Sequence, residues 1–214
     1  MKLKKIASLC SQAGQFYLQD RQTAGEPEQW LGDGYAAYPI SGLPYLEIDN
    51  ICTMFDIPEK KQEKLIMRQV NAPESINWED TDPTERQLVD SIMHLRYEGR
   101  ELLPLRTSAG IVFIQEKYLA PLDDTDYMRL YERRNGDGGI YIVAKIGMVI
   151  QAVITPVDVV SEDLIQQMEE LTDLCRTALL KKEQMYAPQN REESDKDQRT
   201  LFKVDKSTGE VLEE

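Results

Sequence analysis

Apolar positions are densest over residues 139–157, where Ile and Val fill two short runs, 140–146 and 148–154. Asn135-Gly-Asp-Gly-Gly139 precedes the first run and favours positive φ, hence a tight turn. Gly147 separates the runs at a turn or bulge, and Pro156 ends the second because it has no N–H to donate. The pattern predicts two adjacent core strands. Such strands need an apolar cover, and the segment downstream offers one. Ser161 is placed as an N-cap, with Glu162 and Asp163 in the first turn and Lys181 and Lys182 in the last, all of which suit a helix dipole. Between them Leu164, Ile165, Met168, Leu171, Leu174, Cys175, Ala178 and Leu179 form one apolar stripe, so a core helix is expected here.

Upstream, Leu3, Ile6, Leu9, Cys10 and Ala13 recur at helical spacing and Gly14 stands where a left-handed cap would, predicting a helix over 2–13. Strands follow over 15–19, 29–31 and 35–38, the last two divided by Gly32-Asp33-Gly34. A short amphipathic helix is expected over 46–55, ended by Pro58, and then a strand over 64–70. Residues 71–83, with Pro73, Trp78 and the acids of 79–82, suggest a surface excursion. Thr84 and Glu85 read as the opening of a helix that runs to about His94. Extended segments are expected at 95–97, 101–105, 110–114 and 127–132, with a turn at Glu98-Gly99-Arg100. The whole predicts an α+β fold, mainly antiparallel, with helices packed on one face, over residues 1–182. Residues 183–214 change composition: 189–198 hold no large apolar residue, and the stretch is expected to be a disordered acidic tail.

Charge narrows the function classes. The chain has 214 residues, 41% hydrophobic and 29% charged, with a net charge of −13. That balance speaks against a groove that neutralises many phosphates, and against an anionic membrane surface. No apolar run is long and unbroken enough to span a bilayer, since Lys145, Gly147, Gln151 and Pro156 interrupt the best one. The basic-then-apolar start is broken by Ser11 and Gln12 and reads as a helix rather than a signal peptide. Three separated cysteines, Cys10, Cys52 and Cys175, fit buried free thiols in a reducing cytoplasm.

Candidate chemistry is sparse. The single histidine, His94, and unpaired cysteines argue against a metal site, and no cofactor is expected. The acidic clusters 79–82 and 123–126 lack the alternating ligands and terminal Glu of a calcium loop. The Asn135–Gly139 cluster precedes a strand, whereas a phosphate loop follows one. No nucleophile lies beside a base in a recognised motif, so no catalytic residue is assigned. Trp30, Tyr35, Tyr38 and Tyr45 are read as core and loop anchors.

One short motif stands apart. Gln198-Arg-Thr-Leu-Phe202 places an apolar pair inside an otherwise polar tail. Gln-x-x-Leu-Phe resembles the peptide by which bacterial replication and repair proteins dock on the DNA sliding clamp. The resemblance implies a polar subsite for Gln198 and an apolar pocket for Leu201 and Phe202. Arg199 and Thr200 depart from the small or acidic residues usual between them. The tail over 201–211 is similar to those of accessory proteins of Firmicute phages and mobile elements. The tail likeness carries no activity with it; the clamp-peptide resemblance implies a non-enzymatic adaptor that reaches DNA through a protein partner, the bacterial sliding clamp, and the thiols are those of a cytoplasmic chain. Three alternatives remain: an acidic inhibitor of a basic nucleic-acid-binding host protein, an enzyme of unassigned type, and a clamp-like fold suggested by the element order over 2–70.

Overall fold

The computed structural model describes residues 2–23, 25, 27–89, 93–122, 127–185, 203–204 and 211–212. The chain divides into two compact units, Met1–Val159 and Val160–Glu214.

The first unit is built on one eight-stranded sheet, mostly antiparallel, so the chain has a mixed α+β fold. In chain order its strands are β1 (Gln15–Arg21), β2 (Glu28–Gly32), β3 (Ala36–Pro39), β4 (Ile66–Asn71), β5 (Arg86–Gln87), β9 (Met128–Arg134), β10 (Ile140–Ile146) and β11 (Val149–Ile154). Their spatial order is β4-β1-β2-β3-β11-β10-β9-β5, with β4 parallel to β1 and the other pairs antiparallel. A second, three-stranded sheet holds β6 (Leu95–Tyr97), β7 (Arg100–Thr107) and β8 (Gly110–Gln115). Helices α1 (Leu3–Ala13), α2 (Ile48–Met54) and the one-turn α3 (Glu59–Gln62) complete the unit, with a 3-10 turn at Glu116–Leu119.

The central hairpin forms as its apolar runs predict. β10 and β11 pair in register from Ile142 with Ile154 to Ile146 with Val149, with a bulge at Ala144/Lys145. Gly147 turns between them at φ 62°, a conformation that favours glycine. At the β2–β3 turn the requirement is closeness: a Cβ on Gly32 would lie 1.8 Å from the Ala36 carbonyl oxygen. Asp33 then closes the turn, its Oδ1 accepting the Tyr35 and Ala36 N–H groups at 3.0 Å.

Alternation along the strands sends side chains to two faces. On one, Phe16, Leu18, Leu31, Tyr38, Ile142, Ala144 and Ile154 join Ile6 and Cys10 of α1 and Ile51 of α2. Leu103, Leu105 and Ile114 of the small sheet enter the same cluster, so the helices and the small sheet cover one face together. Each fully buried Leu, Ile or Phe there contributes about 1.5–3 kcal/mol. On the other face Trp30, Ala37, Tyr141, Val143, Ile150 and Val153 form a second cluster with Trp78.

Three expectations for the first unit are corrected. Residues 84–88 are not helical: β5 pairs Arg86 with Glu132 and Gln87 with Tyr131, and the Leu88 N–H donates to the Leu130 carbonyl. Extended backbone there turns the Glu85 carboxylate inward to two buried cations. Residues 71–83 are no simple surface excursion, because Trp78 is buried against the sheet. α2 stops at Met54 with Phe55 as its cap, ahead of Pro58, which instead opens α3.

The second unit holds α4 (Glu162–Met185) and a two-stranded pair, β12 (Lys203–Val204) with β13 (Val211–Leu212). Ser161 caps α4 as expected, its Oγ accepting the Leu164 N–H at 3.2 Å. The core-helix expectation is wrong. Ile165, Leu171, Leu174, Leu179 and Leu180 are each at least half exposed, and Cys175 is an exposed thiol rather than a buried one. The cover for β10 and β11 comes instead from α1 and the small sheet on one face and the Trp78 segment on the other. Within the tail, four described residues pair as β12 and β13, where no order was expected.

Candidate functional site

Segment 72–85 is tied to the second face of the main sheet by a buried charge network. Arg133 of β9 is fully buried, and Lys145 of β10 nearly so. Both lie on the same face as Tyr141, since Tyr141 pairs with Arg133 and positions 141, 143 and 145 share strand parity. Arg133 Nη1 donates to the carbonyls of Asn77 at 3.0 Å and Glu79 at 2.7 Å, and Nη2 to that of Asp80 at 3.1 Å. Arg133 Nε also donates to Glu85 at 2.7 Å. Lys145 Nζ donates to the other Glu85 oxygen and to the Asp80 carbonyl, each at 2.8 Å. It also lies 4.8 Å from the centre of the Tyr131 ring. Two cations thus share one carboxylate, and backbone carbonyl dipoles supply the remaining negative field.

The segment answers with groups of its own. Asp80 Oδ1 accepts the Ile150 N–H at 2.9 Å. The Asn77 N–H donates to the Tyr141 hydroxyl at 3.1 Å. Trp78 meets Trp30 edge-on with ring centres 4.8 Å apart, and its Nε1 donates to the Pro73 carbonyl at 3.0 Å. Asp82 is held below the usual carboxylate range. Burial pushes it up, but the Thr84 hydroxyl and N–H, the Asn77 amide and the Arg133 charge outweigh that effect.

A groove of about 640 Å³ runs beside this segment, between Arg21, Asn71, Glu74, Trp78 and Arg134. Its cations are engaged. Arg21 pairs with Glu28 at 2.9 Å and with Glu79, and Arg134 donates to the Ser108 hydroxyl at 2.9 Å. Carboxylates line the groove beside the arginines, so its field does not favour an anion.

A second polar cluster sits in the core. Asp33, almost wholly buried, accepts the Tyr118 hydroxyl at 3.0 Å, and the Tyr38 hydroxyl donates to the Tyr118 carbonyl at 2.7 Å. Burial, then the Asp33 charge, push the Cys10 thiol and the Tyr38 and Tyr118 phenols far up. None of the three ionises near neutral pH, so the cluster offers no nucleophile.

Other sequence candidates fall as follows. Trp30 and Tyr38 are core residues, whereas Tyr35 and Tyr45 are exposed. The Tyr45 hydroxyl donates to Asp20 at 2.9 Å. His94 is exposed, 3.0 Å from a Glu116 oxygen. The acidic run 79–82 spends its carbonyls and Asp80 on the network, and 123–126 lies outside the described residues. Among the described residues no group of three or more His, Cys, Asp or Glu is placed to hold a metal ion. No described helix is long and apolar enough to cross a membrane.

Gln198, Leu201 and Phe202 also lie outside the described residues; the β12 pairing begins at the residue after Phe202. Sequence reading missed the Arg133–Glu85–Lys145 network. Its signal was Lys145, a cation at inward parity in the most apolar strand of the chain. No protein-family model, no curated protein and no solved structure matches the chain.

Proposed function

We propose that this chain is a non-enzymatic adaptor of a phage or mobile element, acting in DNA metabolism by docking on the host sliding clamp. The observation that carries the reading is Gln198-Arg-Thr-Leu-Phe202 in a polar tail. Gln198 enters the polar subsite, and Leu201 and Phe202 fill the apolar pocket. Burying the two apolar side chains contributes roughly 3–6 kcal/mol. Ordering the segment and losing translational freedom offset much of that, leaving a dissociation constant of about micromolar order. The first unit supports a non-enzymatic role in one respect: its buried charged groups are committed to backbone and to one another.

A second reading, an acidic inhibitor of a basic nucleic-acid-binding protein, is favoured by one observation. Glu162, Asp163, Glu169, Glu170 and Asp173 are all exposed along the first half of α4. Calorimetry of full-length protein with the host clamp separates the two. Micromolar binding that disappears in Leu201→Ala/Phe202→Ala supports the adaptor. Equal binding of wild type and double mutant, or none by either, removes it and leaves the inhibitor.

A further inference from the structure

We infer that α4 pairs with the α4 of a second copy of this chain, the two helices running antiparallel. The inference is independent of the tail motif. Met168, Leu171, Cys175, Ala178 and Lys182 follow one another at spacings of three, four, three and four residues, the repeat of a coiled-coil seam. Ile165, Leu174 and Leu179 flank that seam. All of these positions are exposed or nearly so, and the apolar ones make a band along a helix of 24 residues. At 1.5 Å per residue the helix is about 36 Å long, enough for a two-helix interface of ordinary size.

Charge selects the occupant and its direction. A chain of net charge −13 repels its own copies, so self-association needs a face free of acids. The seam and its flanks contain none; the acids of α4, Glu162, Asp163, Glu169, Glu170, Asp173 and Glu183, stand outside them. All but Glu183 lie in the first half of α4, while Arg176, Lys181 and Lys182 lie in the second. Parallel pairing would set acids beside acids. Antiparallel pairing sets the acidic half of each helix beside the basic half of the other, and opposes the two helix dipoles favourably. Centred near residue 173, it brings Ile165 opposite Leu179 of the second copy and Leu174 against its own counterpart. Cys175 falls near the middle of the seam and is covered.

Sedimentation equilibrium of the full chain tests this, read beside the rate at which a maleimide labels Cys175. The expected result is a reversible dimer with a dissociation constant of about 10 µM or tighter. Cys175 labelling should slow as protein concentration rises through that value. Leu171→Asp and, separately, Met168→Lys should each weaken the dimer about tenfold or more. Arg176→Glu with Lys181→Glu should also weaken it, and adding Glu169→Lys with Glu170→Lys to that chain should restore it. A chain that stays monomeric at its highest soluble concentration overturns the inference. So does a dimer indifferent to both seam variants, which would use another surface. A dimer indifferent to the charge reversal overturns the antiparallel direction.

Discussion

Segment 72–85 carries Glu74, Glu79, Asp80, Asp82 and Glu85, yet it is fastened to the second sheet face, with Trp78 buried and Glu85 held between two buried cations. Helix α4 carries five Leu and leaves four of them in solvent. The difference lies in what each finds opposite itself. The segment meets an Arg and a Lys that its backbone carbonyls can satisfy, and burial of polar groups is tolerated when every one is bonded. The first face of the sheet is covered by α1, α2 and the small sheet. Composition alone ranks these two regions in the wrong order for burial.

Removing one member of the network should therefore cost far more than charging the helix. Arg133→Met leaves three backbone carbonyls and Glu85 short of a partner, and leaves Lys145 as the only cation on that carboxylate. The expected loss is about 3–5 kcal/mol in denaturant unfolding. Leu171→Asp, at a half-exposed position, should stay within about 0.5 kcal/mol of wild type when measured on dilute protein. Equal losses in the two variants would erase the contrast. A large loss for Leu171→Asp alone would make α4 a core helix after all.

A milder cut sharpens the same contrast. Trp78→Phe keeps a ring against Trp30 but loses the bond to the Pro73 carbonyl and some volume. It should cost about 1–2 kcal/mol. The chain has two tryptophans, and they touch each other, so their fluorescence reports on this segment. In wild type the emission shift on adding denaturant should coincide with loss of sheet signal by circular dichroism. An earlier fluorescence transition would mean that the segment detaches while the sheet persists.

How much of this was readable follows the same division. The β10–β11 hairpin was legible because Ile/Val runs, Gly147 and Pro156 act locally, and α1 because its apolar spacing ends at Gly14. The mixed, mostly antiparallel fold followed from those local signals. α4 was legible as a helix from Ser161 and its stripe, but not as an exposed one, since exposure depends on which face the rest of the chain leaves open. The helix expected from Thr84 failed for a non-local reason. Glu85 looks like the acid of a capping turn, yet its partners are Arg133 and Lys145, about fifty residues away or more. The Arg133 network itself is a contact between distant strands and one loop, with no local pattern beyond the inward parity of Lys145. The Gln198–Phe202 resemblance was read from five residues of the sequence alone.

The smallest effect concerns the edge of the network. Asp82 is half-buried and its carboxyl is held below the ordinary value of 3.8, so the folded state prefers it ionised. The direction sets the sign. Stability from this group is fully present above the ordinary value and is lost as pH falls through the lower, folded value. Near neutral pH its Oδ1 accepts the Thr84 N–H at 2.7 Å and its Oδ2 the Asn77 amide at 2.8 Å, which holds the far end of the segment beside Arg133. Solvent reaches the carboxylate, so the contribution is screened to a few tenths of a kcal/mol, roughly. Asp82→Asn should therefore be slightly less stable than wild type at pH 7, with the gap closing below about pH 4. Other carboxylates titrate in the same range, but they do so in both proteins and cancel in the difference. Parallel denaturant titrations at pH 7 and pH 3 measure it. A gap that stays constant would assign the cost to lost hydrogen bonds alone. A gap that widens on acidification would mean that the charge of Asp82 opposes folding, and Arg133 would then hold the segment without its help.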